Sequence, residues 1–127
     1  MYTLNLLSDE MAIARMPATA PLPEWVLDAP FFSVTRTPDE LSILCPSHLL
    51  PAEITAERGW RCLQVAGPLD FDLVGVLASL LEPLQMVGIS VFVLSTYDTD
   101  YILVKATQLT VAIDALQEAG YLVITAP

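Results

Sequence analysis

Apolar positions recur along this chain in two rhythms. Short runs rich in β-branched and aromatic residues fall at Thr3–Leu7, Phe31–Thr37, Leu41–Cys45, Trp60–Ala66, Ile89–Leu94, Tyr101–Val104 and Tyr121–Thr125. Each run reads as a strand, and Met11–Met16 extends the first one past a turn at Ser8–Glu10. Two other stretches repeat at helical spacing. In the first, Phe71, Val74, Leu77, Ala78 and Leu81 follow an N-cap candidate at Asp70; in the second, Leu109, Ala112, Ile113 and Leu116 follow one at Thr107. Pro83 is expected to bend or end the first helix, and Gly88 and Gly120 suit the C-terminal caps. Earlier in the chain Pro17, Pro21 and Pro23 leave room only for a short helix at Glu24–Asp28, and Ser47–Glu57 is expected to hold another short one.

From Trp60 onward the elements run β-α-β-β-α-β. That is the ferredoxin-like order, an antiparallel sheet with helices on one face. The first half repeats it: a slide of 60 residues lays Phe32–Leu44 on Phe92–Val104 and Pro23 on Pro83. The expected fold is therefore α+β, two ferredoxin-like units in tandem, residues 1–59 and 60–127, with the first degenerate because its helices are poor. A slide of 61 superposes Gly59-Trp60 on Gly120-Tyr121. The strand at 60–66 can thus close the first unit, open the second, or do both.

The stretch Gly88–Lys105 draws attention by its turn. Two apolar runs flank Ser95-Thr96-Tyr97-Asp98-Thr99-Asp100, more hydroxyls and carboxylates than a change of direction requires. Overall charge sharpens this. Fifteen acidic residues against five basic ones make the chain −10 at neutral pH. Such a surface repels phosphate backbones and anionic lipid, so neither nucleic acid nor membrane is an expected partner, whereas a cationic ligand is favoured. The apolar fraction of 54% against 16% charged residues is high for a soluble monomer and suits a homodimer interface. No run approaches the roughly 20 apolar residues of a membrane span, and MYTLNLLSDE lacks the basic start of a signal peptide, so the expected compartment is the cytoplasm.

Catalytic chemistry is sparse. His48, the single histidine, has no acid or nucleophile at a recognisable spacing, and no Gly-rich phosphate loop exists. Cys45 and Cys62 stand alone, which fits buried thiols rather than a disulfide framework or a zinc site. No cofactor or metal is expected. Binding fits better: Asp98 and Asp100 could meet an ammonium, and the backbone N–H groups of Gly67–Asp70 ahead of a helix could meet a carboxylate. A free amino acid carries both groups. Against this stands the plainer view that the aspartates shape a turn and cap a helix.

The arrangement WRCLQVAGPLDFDLVGVLASLLEPLQMVGISVFVLSTYDTDYILVK, with FFSVTRTPDELSILCP before it, resembles the ACT domain family. Within that family it is similar to tandem-ACT proteins related to aspartokinase regulatory domains and to the CASTOR arginine sensors. The resemblance implies regulatory amino-acid binding rather than catalysis, with the ligand between paired units. It implies that Gly67, Asp70, Phe71, Leu73 and Val74 form one wall and that Thr96, Tyr97, Thr99 and Asp100 add to it. It also implies that Ser90 and Val91 of a neighbouring unit supply the opposite wall. The alternative is a ligand-free ACT-like dimer that serves as a protein–protein interaction module for an unidentified target.

Overall fold

The computed structural model describes residues 2–70 and 73–125. Seven strands and three helices follow one another: β1 (Thr3–Met16), α1 (Glu24–Leu27), β2 (Ser33–Arg36), β3 (Leu41–Pro46), β4 (Ala56–Val65), α2 (Val76–Met86), β5 (Val91–Ser95), β6 (Asp100–Lys105), α3 (Leu109–Glu118) and β7 (Leu122–Thr125). The chain divides into two compact units. One joins Met1–Ser8 to Arg61–Pro127, and the other is Asp9–Trp60. The second is therefore inserted, in sequence, between the first strand of the larger unit and all the rest of it.

In the larger unit the strand order is β7-β1-β4-β6-β5. β5 and β6 form the expected antiparallel hairpin, with Val91 opposite Val104 and Ser95 opposite Asp100. β7 instead runs parallel to the opening of β1, pairing Thr3 with Leu122 and Leu6 with Thr125. Alternation sends Leu63, Val65, Ile102, Val104 and Val123 to the helix side, where they meet Leu80, Leu84, Ala112 and Leu116 in one core. In the smaller unit β2, β3 and the later part of β1 pair antiparallel, Met16 lying opposite Leu41. Ala12, Ala14, Ile43 and Cys45 pack with Val26 and Leu50 in a separate core. The single turn of α1 and a 3-10 turn at Ser47–Leu49 are its only helical segments among the described residues.

Several local expectations need correction. β1 does not turn at Ser8–Glu10 but runs through to Met16 as one strand. Ser47–Glu57 holds only the 3-10 turn, and β4 begins at Ala56, ahead of Trp60. α2 starts at Val76, not after Asp70; its N-cap is Gly75, and it buries Val76, Leu80 and Leu84. The register chosen from Phe71, Val74, Leu77, Ala78 and Leu81 is one step out; Val74 is 95% exposed, and Phe71 lies outside the described residues. Thr107 is likewise no cap, because Ala106–Gln108 form a 3-10 turn that feeds α3 from Gln108. Pro83 stays inside α2, which continues to Met86. Gly88, with φ of +75°, then reverses the chain: its N–H reaches the Gln85 carbonyl while the Ile89 N–H reaches that of Leu84. This pair of bonds satisfies carbonyls the helix leaves open, and Gly120 and Tyr121 repeat it on α3.

Both thiols are buried. Burial pushes the Cys62 thiol up to about 12; burial also raises Cys45, partly offset by the Arg58 guanidinium. A thiol ionises near 9.0 when exposed, so the unfolded chain releases the Cys62 proton first and stability must fall as pH climbs from about 9 toward 12. We expect iodoacetamide to modify Cys62 only after unfolding in urea. Urea titrations at increasing pH should show the alkaline loss flattened in Cys62→Ala; an unchanged slope would assign the loss to other groups.

Candidate functional site

The turn between β5 and β6 closes on itself before it meets anything else. The Thr96 N–H and hydroxyl both donate to the Thr99 carbonyl, at 2.8 and 3.1 Å, and the Thr99 N–H donates back to the Thr96 hydroxyl at 3.3 Å. One residue pair away from the turn, Ser95 Oγ donates to Asp100 Oδ1 at 2.6 Å, joining the last two residues that β5 and β6 set opposite each other. The turn is then tied to the segment leaving β4. Thr99, 4% exposed, donates its hydroxyl to the Val65 carbonyl at 2.7 Å, and the Leu69 N–H donates to the Asp98 carbonyl at 2.7 Å. Gly67 sits in the crease. A Cβ placed there would stand 3.1 Å from the Leu69 nitrogen, 3.2 Å from Thr99 Cβ and 3.3 Å from the Asp98 carbonyl. Any side chain at 67 would push the turn and the loop apart.

Between this turn and the start of α2 lies a cavity of about 320 Å³. Asp70, Leu73, Thr96, Tyr97, Thr99 and Asp100, all candidates from the sequence, line it. Gly67 lies behind it, where it sets the spacing, and Val74 points to solvent. Ser90 and Val91 stand at the opposite end of β5, Val91 pairing with Val104, and do not line the cavity of this chain. The resemblance assigns those two to a wall supplied by a second chain. Phe71 lies outside the described residues.

The structure adds residues to this set. Gly75, Val76 and Leu77 line the cavity, so the first turn of α2 faces it. Gly75 has φ of +79°, a backbone state that costs a side-chain-bearing residue free energy and costs glycine little. Glycine within an apolar helical pattern was the available signal for this start, masked by Val74 and Leu77 on either side. The Leu69 and Leu73 N–H groups are engaged by Asp98 and Asp70 carbonyls, so they are not the anion donors expected at Gly67–Asp70. The open donors of a helix belong to its first turn, here the one that Gly75 begins. The threonine hydroxyls are also committed to the turn. The lining also carries three carboxylates, Asp70, Asp98 and Asp100, the last already accepting from the Ser95 hydroxyl, and no Lys, Arg or His. Among the described residues no cluster of His, Cys, Asp and Glu could hold a metal ion, and no helix is long and apolar enough to cross a membrane.

The family model for the ACT domain matches residues 55–118, and a second model, for an N-terminal domain, matches residues 9–53. The rat protein named cytosolic arginine sensor for mTORC1 subunit 1 is 33% identical over 97 residues, which cover 69% of this chain and 29% of that protein. The human protein of the same name is 33% identical over 99 residues. The chain thus spans less than a third of the length of the curated relatives it matches. A crystal structure of a protein from Agrobacterium tumefaciens superposes with a TM-score of 0.93 at 36% identity, covering 99% of this chain and 94% of that one. The regulatory subunit of aspartate kinase from Thermus thermophilus, at 12% identity and a TM-score of 0.60, covers 92% of this chain and 97% of its own, and shares the fold.

Proposed function

Because the chain belongs to the ACT domain family, we propose that it is a non-catalytic regulatory protein that binds a free amino acid in the cavity between the β5–β6 turn and α2. The observation that carries this reading is the combination of polar groups around that cavity. Its lining includes the carboxylates of Asp70, Asp98 and Asp100 together with the first turn of α2. An amino acid presents an ammonium to the first set and a carboxylate to the second, which is the polarity a helix N-terminus favours. With three acids and no basic lining residue, a cationic side chain adds a further favourable term. The likeness to proteins named arginine sensors supports the same ligand class.

The site is proposed to be completed by a second copy. Ser90 and Val91 begin β5, and β5 is the last strand in the order of its unit, so its outer edge is open to pairing. A homodimer joined along β5 would set these residues of the neighbour beside the turn. The protein then acts in the cytoplasm through a protein target, and needs neither cofactor nor metal for the purpose. The second reading is a ligand-free ACT-type interaction module. It draws on the threonine hydroxyls, which are spent on turn structure rather than left for a ligand.

Thermal shift against the twenty amino acids tests the proposal. Saturable stabilisation by a basic amino acid is expected, rising with ligand concentration as mass action requires. It should be lost in Asp100→Ala and kept in His48→Ala, whose exposed imidazole stands in the inserted unit. A folded dimer that responds to none of the twenty would favour the interaction module. A monomer at micromolar concentration would remove the shared site.

A further inference from the structure

α2 does more than border the amino-acid cavity. Its second half and the end of α3 enclose a groove of about 400 Å³ of different chemistry. Pro83, Met86 and Val87 form its apolar wall on the α2 side and Ala115 on the α3 side; Glu82 and Glu118 are its only charged lining residues. Met86 is 79% exposed and Val87 47%. Unbranched methionine on a surface adapts to the shape of what it meets, and leaving it in water has no benefit to the fold. The floor of the groove is held in place. The buried Tyr121 hydroxyl donates to Ser79 Oγ at 2.9 Å, and Ser79 Oγ donates to the Val76 carbonyl at 3.0 Å. This is a formed depression rather than a gap between loose helices.

Charge decides what fits it. α2 and α3 carry Glu82, Asp114 and Glu118 and not one lysine, arginine or histidine. A second copy would bring the same acidic helices, on a chain of −10, against these. Anionic lipid and nucleic acid are repelled for the same reason. The complementary occupant is apolar at its centre and cationic at its flanks, which is the pattern of a basic amphipathic helix laid into a groove. We propose that the α2–α3 groove docks a basic amphipathic segment of another protein. Apolar side chains of that segment seat against Pro83, Met86 and Val87, and lysines or arginines stand over Glu82 and Glu118. α2 contributes to this groove and to the amino-acid cavity alike.

The test uses the full chain and three labelled synthetic helical peptides, read by fluorescence anisotropy without added amino acid. One carries leucines at helical spacing and lysines elsewhere, one replaces the lysines by glutamates, and one keeps the lysines but replaces the leucines by glutamines. The leucine–lysine peptide is expected to bind saturably and the other two much more weakly. Met86→Gln should weaken that binding roughly tenfold, as loss of a central apolar anchor does. Glu82→Gln with Glu118→Gln should weaken it and reduce its salt dependence, whereas Asp39→Asn with Glu53→Gln, equal in charge removed but outside the groove, should not. Four of these five positions are solvated carboxylates and Met86 is itself exposed, so folding is retained throughout. The proposal is overturned if no peptide binds, if the leucine-free peptide binds equally, or if the two double variants behave alike. It is overturned also if sedimentation shows that Met86→Gln dissociates a dimer, which would make the groove an interface between copies.

Discussion

Leu80→Ala is expected to lower the stability of the larger unit by about 3 kcal/mol, within the range measured for fully buried leucines cut to alanine. Leu80 is 0% exposed, lies on the middle of α2's buried face and belongs to the core that also holds Leu4, Leu63 and Ile102. Truncation removes three carbons from contact with both the sheet and α3, and a backbone pinned at Gly88 by two hydrogen bonds cannot slide inward to refill the space. A domain of this size has a total stability of roughly 5–15 kcal/mol, so the loss is a large fraction of it. Urea unfolding followed by circular dichroism should show a lower midpoint with little change in slope. A shift below about 1 kcal/mol would mean that Leu80 is not at the centre of this core.

Thr99→Val should cost about 1–3 kcal/mol, because it keeps the shape of the side chain and deletes a buried hydroxyl, leaving its acceptor short of a donor. That acceptor is the Val65 carbonyl at the end of β4. The consequence reaches beyond stability. The hydroxyl and the Leu69–Asp98 bond are the two ties that hold the turn to the loop, and the cavity lies beside them. Thr99→Val should therefore also weaken the proposed amino-acid binding, through the position of the turn. Thr99→Ser, which retains the donor, should recover most of both losses. If valine and serine variants unfold at the same urea concentration, the hydrogen bond contributes nothing and Gly67 alone sets the spacing.

The parts of this molecule that were legible in its sequence are those where local chemistry and tertiary packing agree. The hairpin of β5 and β6 is one: β-branched runs on both sides of a polar turn leave little other choice. Helix ends at Gly88 and Gly120 are another, since the required backbone geometry favours glycine at each. Helix starts were less visible. Asp70 looks like an N-cap by residue type, yet the helix waits for Gly75, and the Asp70 carbonyl accepts from the Leu73 N–H in the segment before it. Pro83 misled in the opposite direction, because packing of Leu80 and Leu84 on either side outweighs the one hydrogen bond it removes. At the candidate site, the sequence named the turn that lines the cavity but could not separate the hydroxyls that build the turn from the carboxylates that line the cavity. That distinction depends on the Val65 and Thr99 carbonyls, which composition does not reveal.

The parallel pairing of β7 with the opening of β1 has a consequence for how the chain is made. Thr3 leaves the ribosome more than a hundred residues before its neighbour Leu122. The inserted unit, Asp9–Trp60, has all of its own residues available while the other still lacks α2, α3, the end of β4 and three further strands. During that interval the first strand is held at the base of a growing chain without its parallel neighbour. The candidate cavity is thus assembled on the later-completed unit, and a truncated product that ends before β7 would carry the turn and its aspartates without the strand that closes the sheet beside β1.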